Sequence, residues 1–329
     1  MPIHPRDALF AGEPQPLSLP VVDHYCGVEK LMRKSLALQA ARGPVFDVTL
    51  DCEDGAVVGA EAEHVRLVAD LLSGPDNRHG RVGVRVHPVD HPAFELELQT
   101  LAAAPVAPAY LMLPKIESHA QLERGAAAVQ RAWGVRPVPP LQALIETHGG
   151  LRDVEAIAAH PALQSLSFGL MDFVSAHHGA IPREALTLEG QFTHPLVRRA
   201  KLAIAAACHG RGIVPSHCVV TELRSRSRLQ EAARRAAREF GFTRMWSIHP
   251  DQIEPIMEAF APSTAEVDEA IEILDAAQAA GWGPIRHRDQ LHDRASYRLF
   301  WSLLERAQRT GQELPVEVRQ RYFGATIAP

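Results

Sequence analysis

The sequence predicts an α/β fold, a (β/α)8 TIM barrel with a C-terminal helical appendage. Short apolar runs alternate with helix-like segments eight times within about 260 residues, which is the usual size of such a barrel. The runs are continuously apolar rather than alternating, as expected for parallel strands that are buried on both faces. Charged side chains directly follow several runs, and barrel enzymes gather their active sites at those strand ends.

Composition narrows the possible functions. The chain has 329 residues, 46% of them hydrophobic, as expected of a soluble globular protein. Its 34 basic and 39 acidic residues give a net charge of −5, which favours neither a nucleic-acid nor a membrane partner. The four cysteines form no Cys-x-x-Cys pair, so neither a zinc knuckle nor a disulfide framework is predicted. No signal-peptide core or bilayer-spanning run is present, and a cytoplasmic location is expected.

Residues 1–16 are rich in proline and polar side chains and are expected to form a flexible arm, followed by the barrel over residues 17–262. Gly-Pro pairs and similar breakers separate the elements, and a long irregular stretch over 176–191 has the length of an active-site loop. The predicted strands cover 17–22, 45–50, 81–86, 109–113, 141–145, 163–168, 212–218 and 244–248. The predicted helices cover 27–42, 60–72, 94–104, 120–133, 148–160, 195–209 and 222–240.

Residues 263–329 exceed what a barrel needs, and we expect them to form a helical lid or oligomerisation segment. Two helices are predicted there, over 263–280 and 291–310. The second is heavily apolar, and a lone surface helix of that kind would expose a large hydrophobic patch. The barrel's open end or a neighbouring subunit are the two partner surfaces that we expect to cover it.

Two carboxylates follow the fifth and sixth predicted strands, Glu146 and Asp172. Hard oxygen ligands on neighbouring strand ends suit Mg2+, with substrate and water completing its coordination. The alternative for either residue alone is that it caps the helix that follows it. Other strand ends carry further polar residues, and this clustering indicates an enzyme. They are Asp51, Glu53, Asp54, Arg85, Lys115, Glu117, Ser216, His217 and His249.

Arg85 offers a planar guanidinium fork that suits a substrate carboxylate. The alternative is an ion pair with the acids at 51, 53 and 54, and one arginine can serve both purposes. Glu117 beside Lys115 argues against a Schiff-base lysine. His249 could act as a catalytic acid or end the strand with its ring packed, and the packed alternative is favoured. A zinc hydrolase and a serine nucleophile are disfavoured, because no His-Glu-x-x-His and no Gly-x-Ser-x-Gly motif is present.

Several runs together resemble the citrate lyase β-subunit-like proteins of the HpcH/HpaI aldolase/citrate lyase superfamily, which includes malyl-CoA and citramalyl-CoA lyases. They occur in the family's order between about residues 19 and 280. The runs are Asp51–Val57, Arg85–His87, Leu113–Glu117, Leu144–Thr147, Phe168–Asp172 and Ile248–Ile253.

The resemblance implies a trimeric or hexameric barrel with one Mg2+ in each active site. It assigns the metal ligands to Glu146 and Asp172, and the substrate carboxylate or forming carbonyl to Arg85. From its position after the second strand, Glu53 is included among the substrate-binding residues, although support of other site residues is favoured over direct chemistry for Asp51, Glu53 and Asp54. Lys34 lies where CoA phosphates tend to bind. The appended helices commonly form a lid that can reach a neighbouring subunit and carry a catalytic aspartate, a place that Asp293 or Asp289 would fill.

The sequence also departs from the family pattern at four places. An Arg-Ser opening is absent before the first strand, and His87 replaces an asparagine. Ser216-His217-Cys218 stands where the family has an aspartate, and Arg244-Met245 replaces a Gly-Lys pair. The metal site therefore carries over, whereas the acyl-carrier pocket and the exact substrate do not.

The first functional hypothesis is a Mg2+-dependent carbon–carbon lyase that cleaves or forms a 3-hydroxy-acyl-CoA thioester, such as malyl-CoA or citramalyl-CoA, by retro-Claisen chemistry. The second keeps the metal site but makes the protein a class II pyruvate or oxaloacetate aldolase, or an acyl-CoA thioesterase. The third is a barrel that binds a metabolite without catalysis. In all three the partner is a small molecule.

Overall fold

The computed structural model describes residues 3–10, 12–13, 17–56, 58–222 and 225–324. The chain divides into two compact units. One contains residues 17–259, and the other combines the N-terminal residues with those from Phe260 onward. The first unit thus begins where the barrel was expected to begin and ends at 259 rather than 262.

The first unit is a closed barrel of eight parallel strands in sequence order, which confirms the predicted fold. Strand β1 pairs with β2 on one side and with β8 on the other, so the sheet has no free edge. The strands are β1 (Val22–Cys26), β2 (Asp47–Asp51), β3 (Val82–Arg85), β4 (Leu111–Leu113), β5 (Leu141–Ile145), β6 (Leu163–Phe168), β7 (Val214–His217) and β8 (Arg244–Ser247).

The chain begins with a short helix α1 (Pro5–Phe10), which belongs to the second unit. The predicted loop over 176–191 contains a 3-10 turn, Arg183–Leu186. None of the helices that the structure describes is long and apolar enough to cross a membrane. The other helices up to the end of the barrel are α2 (Glu29–Arg42), α3 (Glu61–Leu72), α4 (Phe94–Ala103), α5 (His119–Trp133), α6 (His148–Arg152), α7 (Val154–Ala158), α8 (Leu170–Ser175), α9 (Gly190–Thr193), α10 (Pro195–Arg211), α11 (Arg226–Glu239) and α12 (Pro250–Phe260).

The first strand lies about five residues later than the sequence predicted, at Val22–Cys26 instead of 17–22. Asp23 and His24 of this strand lie outside the predicted span, and both side chains are buried in the barrel wall. The imidazole of His24 is bonded through Nδ1 to Ser247 Oγ at 2.8 Å and through Nε2 to Ser35 Oγ at 3.0 Å. Burial lowers the pKa of His24 to about 4, so this side chain is neutral and compatible with the core.

A buried ion network joins the amino-terminal ends of the strands. Arg244, the first residue of β8, is fully buried and lies 2.6 Å from Asp47 Oδ2 and 3.1 Å from Asp23 Oδ2. Arg81 pairs with the other oxygen of Asp47 at 2.6 Å. These contacts connect β8 to β1 and β2 and reach the residue that precedes β3. Removing one partner would leave an uncompensated buried charge, so the network fixes the pairing of these strands at their amino-terminal ends.

One buried charge in the barrel unit has no carboxylate partner among its described contacts. Lys201 on α10 is fully buried, and its Nζ donates to Gln191 Oε1 at 2.9 Å. The same ammonium lies 3.9 Å from the ring centroid of Phe192. Burial lowers the pKa of Lys201 to about 8, because desolvation disfavours the charged form.

We expect Lys201→Met to raise the free energy of unfolding at neutral pH by about 1–3 kcal/mol, because methionine fills similar space without a buried charge. The folded pKa is about 8, compared with 10.5 for an ordinary lysine. Between pH 8 and pH 10.5 the folded state therefore binds fewer protons than the unfolded state. The destabilisation caused by the buried Lys201 charge is fully present below about pH 8 and decreases as the pH rises to 10.5.

Thermal unfolding near neutral pH and near pH 10 measures this difference. The advantage of Lys201→Met should shrink at the higher pH, while Lys30→Met, at an exposed position on α2, serves as a control with no comparable change. A lower melting temperature for Lys201→Met at neutral pH would contradict the interpretation.

The second unit contains elements that the sequence did not predict. Between the two expected helices lies a β-hairpin, and a further helix follows them. After α1, the elements of this unit are α13 (Thr264–Ala279), β9 (Ile285–His287), β10 (Gln290–His292), α14 (Arg294–Arg309) and α15 (Val316–Phe323).

The expected flexible arm is helical over Pro5–Phe10 and is held by specific contacts. Leu9 of α1 is fully buried, and its carbonyl accepts hydrogen bonds from Arg294 Nη2 at 3.0 Å and Arg298 Nη2 at 2.8 Å. The apolar face of α14 packs in the same core against α1, α13 and α15. Its apolar surface therefore needs neither the barrel nor a neighbouring subunit as cover, contrary to expectation. A lid or oligomerisation role for this unit stays a prediction.

Candidate active site

The carboxyl ends of β2 and β3 are joined by a bidentate ion pair. Asp51 and Arg85 are register partners on the two strands. Arg85 donates through Nε to Asp51 Oδ1 at 2.7 Å and through Nη2 to Oδ2 at 3.0 Å. The hydroxyl of Tyr25 accepts from Nη2 at 2.6 Å and donates to Asp51. Burial alone would raise the pKa of Asp51, but Arg85 outweighs it and holds that pKa below its ordinary value.

The loop after β2 folds back around Asp51. The two oxygens of this carboxylate accept from the backbone N–H of Glu53 at 3.0 Å and of Gly55 at 2.6 Å. Gly55 packs directly against Gly27, and a Cβ on either would overlap the other backbone, so the tight loop requires glycine at both positions. The loop places Glu53 Oε2 2.9 Å from Arg85 Nη1. The predicted ion pairing of Arg85 with acids of this loop is thus present for positions 51 and 53.

Lys115 connects this loop to the next pair of strands. Its Nζ lies 2.5 Å from Glu53 Oε1 and 3.4 Å from Asp54 Oδ1. Although burial would lower the pKa of Lys115, these acids raise it above its ordinary value, so the side chain is cationic. Its backbone lies in the left-handed region, with φ of +52°. In this conformation its N–H donates to Glu146 Oε1 at 2.7 Å.

Glu146 follows β5 and is buried, and Asp172 lies half-buried in the first turn of α8, after β6. Burial and the negative charge of Asp172 raise the pKa of Glu146 to about 8. Gly169 makes room for the carboxylate, since a Cβ there would overlap Glu146 Oε2. Glu146 and Asp172 therefore follow neighbouring strands, and their assignment as metal ligands stays a prediction.

The capping alternative does not describe Glu146. The side chain that caps α6 is Thr147, whose Oγ1 accepts from Gly150 N at 3.0 Å. Gly169 stands at the N-cap of α8 and offers no side chain, while Asp172 lies within the helix's first turn. Glu146 is instead directed to Lys115 N and to the space near Asp172.

The two carboxylates fit a Mg2+ ion. Burial and the charge of Asp172 outweigh the compensating charge of Arg85 at Glu146, so the pKa of Glu146 is raised, and a bound cation would compensate its negative charge further. In the described part of the chain, no group of three or more Asp, Glu, His or Cys side chains is placed to hold a metal ion. Mg2+ is commonly held by one or two carboxylates, with water and substrate in its other positions. Glu146 and Asp172 would hold the ion, and the open positions would face substrate.

Sequence reasoning missed the aromatic support beneath Arg85. Tyr25 stacks on Trp246 of β8, with ring centroids 5.6 Å apart and an interplanar angle of 13°. Trp246 Nε1 donates to Ser167 Oγ at 3.2 Å, and Arg85 Cζ lies 4.9 Å from the Tyr25 centroid. Tyr25 was missed because the sequence placed the first strand at 17–22. With the strand at Val22–Cys26, Tyr25 would have been considered with the other strand-end residues.

Lys34 lies apart from these residues, exposed on α2. It lines a cavity of about 590 Å³ together with Arg42, Arg226 and Glu254. Three basic groups at one opening are compatible with a phosphate-bearing ligand, although Glu254 and the neighbouring Asp251 reduce the local positive charge.

Two further residues at strand ends, His217 and His249, differ in their burial. His217 is fully buried, stacks on Phe192 with centroids 5.5 Å apart, and is bonded through Nδ1 to the Cys218 carbonyl oxygen at 3.0 Å. Burial holds its pKa well below the ordinary value. The side chain of His249 is 42% exposed, so the interpretation of a packed ring was wrong.

Asp293 and Asp289 belong to the second unit. Asp293 is the N-cap of α14, where its Oδ1 accepts from Ala295 N at 3.0 Å and the Ser296 side chain completes a capping box. Asp289 pairs with Arg286 at 2.7 Å in the hairpin. The cap explains why an aspartate stands at position 293.

We expect Gly169→Ala to weaken divalent-metal binding roughly tenfold or more, because the added methyl group displaces the Glu146 carboxylate. Mn2+ titration of the folded variant measures the effect. Gly210→Ala is the matched control, since a Cβ at that position on α10 meets open space. Unchanged metal affinity in Gly169→Ala would contradict the placement of the site.

The chain matches the HpcH/HpaI aldolase/citrate lyase family over residues 31–250. It is 29% identical over 293 residues to the L-malyl-CoA/beta-methylmalyl-CoA lyase of Cereibacter sphaeroides, covering 84% of this chain and 92% of that one. A citrate lyase crystal structure from Burkholderia xenovorans LB400 is 54% identical, with a TM-score of 0.85 over 97% of this chain and 100% of that chain. Protein CitE of Mycobacterium tuberculosis, solved with magnesium, acetoacetate and coenzyme A, is 25% identical, with a TM-score of 0.69 over 88% of this chain and 99% of that chain. The chain therefore belongs to the HpcH/HpaI aldolase/citrate lyase family, as a lyase of the citrate lyase β-subunit-like type.

Proposed function

We propose that this enzyme is a Mg2+-dependent carbon–carbon lyase that cleaves, or in reverse forms, a 3-hydroxy-acyl-CoA thioester of the malyl-CoA or citramalyl-CoA type. The observation that carries the proposal is the buried Glu146 carboxylate beside Asp172, with the Arg85 cluster on adjoining strand ends. The malyl-CoA lyase relative supports the thioester substrate. The magnesium-bound and coenzyme A-bound structure of CitE supports the metal and the CoA group.

Mg2+ bound by Glu146 and Asp172 would act as a Lewis acid, easing deprotonation of a substrate hydroxyl and formation of the carbonyl product. The protein's own part is to keep both ligands in place. Lys115 N–H fixes one oxygen of Glu146, and Gly169 leaves room for the other. Such fixed orientation of metal ligands commonly accounts for a large share of metal affinity.

Arg85 would meet the substrate carboxylate through Nη1. Three of the five guanidinium N–H groups donate to Asp51 and Tyr25, so the bidentate fork is already occupied. Nη1 lies near Glu53 and is the remaining nitrogen that can donate to substrate. We therefore propose a rigid, charged, single-nitrogen contact to the carboxylate, in place of the free fork that the sequence suggested.

Cleavage of a malyl-type thioester is balanced without an added oxidant or reductant. The 3-hydroxyl loses its proton, the bond between C2 and C3 breaks, and a carbonyl forms at C3. The electron pair remains on C2 as the enolate of the thioester, which then takes a proton to give the shorter acyl-CoA. Arg85 and the bound cation would compensate the negative charge that develops in this sequence.

We assign the final proton transfer to Asp293, the carboxylate that the family resemblance places on the lid. Asp293→Ser is the informative variant, because serine also caps helices well and should preserve α14. We expect near-native melting temperature with a loss of turnover of about two orders of magnitude or more. Asp289→Ser tests the other candidate acid, and a loss of turnover there with full activity in Asp293→Ser would exchange the assignment.

We expect Glu146→Gln and Asp172→Asn each to abolish turnover and weaken Mg2+ binding while the barrel stays folded. Each change removes one ligand charge without opening a core cavity. Mg2+-dependent cleavage of a small panel of 3-hydroxy-acyl-CoA thioesters, together with thermal unfolding, measures both effects. Near-native turnover of either variant at saturating Mg2+ would show the assignment of the metal site to be wrong.

The same panel separates the other chemistries. A lyase releases a shorter acyl-CoA and an oxo acid, whereas a thioesterase releases free CoA thiol. A class II pyruvate or oxaloacetate aldolase should show no CoA binding by calorimetry. If the wild-type enzyme bound Mg2+ but turned over no member of the panel, the proposed reaction would fail.

A further inference from the structure

A cleft between α6, α8 and α10 is lined by basic and imidazole side chains on one part and by apolar side chains on the other. Its volume is about 250 Å³. None of Glu146, Asp172 and Arg85 lines it, so it is distinct from the cluster of strand-end residues. The lining residues are His148, Leu151 and Arg152 of α6, Phe173 of α8, His177 in the loop that follows, and Leu196 and Arg199 of α10.

The charge of this cleft is positive. Within the described part of the chain, the guanidinium groups of Arg152 and Arg199 have no hydrogen-bond or ion-pair partner, and no acidic residue lines the cleft. All five N–H donors of each group are therefore available to water or a ligand. Two guanidinium groups at one opening suit a carboxylate or a phosphate, which arginine binds through paired, charge-assisted hydrogen bonds.

The two imidazoles of the cleft add hydrogen-bond acceptors. His148 Nε2 lies 2.9 Å from the carbonyl oxygen of Ala176, and His177 Nδ1 lies 2.6 Å from that of Phe173. A carbonyl oxygen can only accept, so each of these nitrogens carries a hydrogen, and the other nitrogen of each neutral ring is an acceptor. The two ring centroids are 4.4 Å apart. Such acceptors suit the hydroxyl groups of a ligand, whereas the guanidinium groups suit its anionic oxygens.

The rest of the lining is apolar. Leu151 and Phe173 are buried, and Leu196 is 38% exposed. A concave, largely apolar surface with a few polar groups that fix orientation is typical of small-molecule sites. The volume of about 250 Å³ is below the range of about 300–1,000 Å³ that is usual for drug-sized ligands, so the cleft suits a short molecule.

We propose that this cleft binds a small, hydroxylated organic anion, at a site separate from the one proposed for the lyase reaction. Arg152 and Arg199 would bind the anionic oxygens of a carboxylate or a phosphate monoester. The two imidazoles would accept hydrogen bonds from its hydroxyl groups, and the apolar side chains would cover its carbon chain. The inference does not depend on the proposed reaction, because none of the residues assigned to that reaction lines the cleft.

The experiment is calorimetric titration of the full-length protein, in EDTA and without thioester, with glycerol 3-phosphate and with glycerate. n-Propyl phosphate and propionate are the matched probes that lack hydroxyl groups. We expect at least one hydroxylated anion to bind the wild type, and the tighter of the two to identify phosphate or carboxylate as the preferred group. Arg152→Gln and Arg199→Gln should each weaken that binding by about tenfold or more. Arg198→Gln, at an exposed neighbouring position on α10 that does not line the cleft, is the matched control.

Absence of binding of both hydroxylated anions to the wild type would overturn the inference. Wild-type affinity in Arg152→Gln and Arg199→Gln would also overturn it, because the anion would then bind elsewhere. An equal loss in Arg198→Gln would do the same, since the effect would then be one of general surface charge. Equal affinity for the probes without hydroxyl groups would contradict the role of the imidazoles. Failure of the proposed lyase reaction is recorded separately in the thioester panel, because this titration contains neither thioester nor free metal.

Discussion

The ion pair between Asp51 and Arg85 is the contact on which the rest of the site depends. It joins two neighbouring strands in register, and Asp51 also gathers the loop that returns Glu53 to Arg85. Glu53 then holds Lys115, whose backbone N–H holds Glu146. The metal carboxylate is thus reached from Asp51 through an unbroken series of charge-assisted contacts. Since most of its members are buried, a change at one end would leave unpaired charge along the series.

Much of the site could be predicted from the sequence because its residues follow strand ends. Parallel strands bring those positions to one face, so the proximity of Glu146 and Asp172 required only the strand boundaries. The hydrogen bond from Lys115 N–H to Glu146 could not be predicted, since it depends on a left-handed backbone conformation that no local sequence motif indicates. The first strand was misplaced because His24 looks like a loop residue, while its neutral, bonded state exists only in the closed barrel.

The second unit shows how a missed element changes an inference. The helix over 291–310 looked too apolar to stand alone, and that judgement about its surface was sound. The cover comes from α13, the other helix that the sequence predicted, and from α1 and α15, which the sequence suggested were a loose arm and an unassigned tail. Long-range packing of short, weakly amphipathic segments has no signature in the local pattern, so the search for a partner outside the unit was misdirected.

Three of the residues that depart from the family pattern make specific packing or ionic contacts of their own in the structure. His87 Nδ1 lies 2.6 Å from Oε1 of the buried Glu97 carboxylate, and His217 stacks on Phe192 with Phe242 packed edge-on against it. Arg244 holds the ion network at the other end of the barrel. None of these contacts involves Glu146 or Asp172, which is why the metal site could resemble the family while its surroundings differ.

The most direct test of the central claim is a crystal structure of the enzyme with Mn2+ and oxaloacetate, using anomalous scattering to locate the metal. The account predicts one ion between the carboxylates of Glu146 and Asp172, chelated by the 2-oxo acid, with a carboxylate oxygen of the ligand near Arg85 Nη1 and Glu53 still paired with Lys115. A metal ion bound elsewhere, or oxaloacetate bound without contact to the ion between Glu146 and Asp172, would contradict the account.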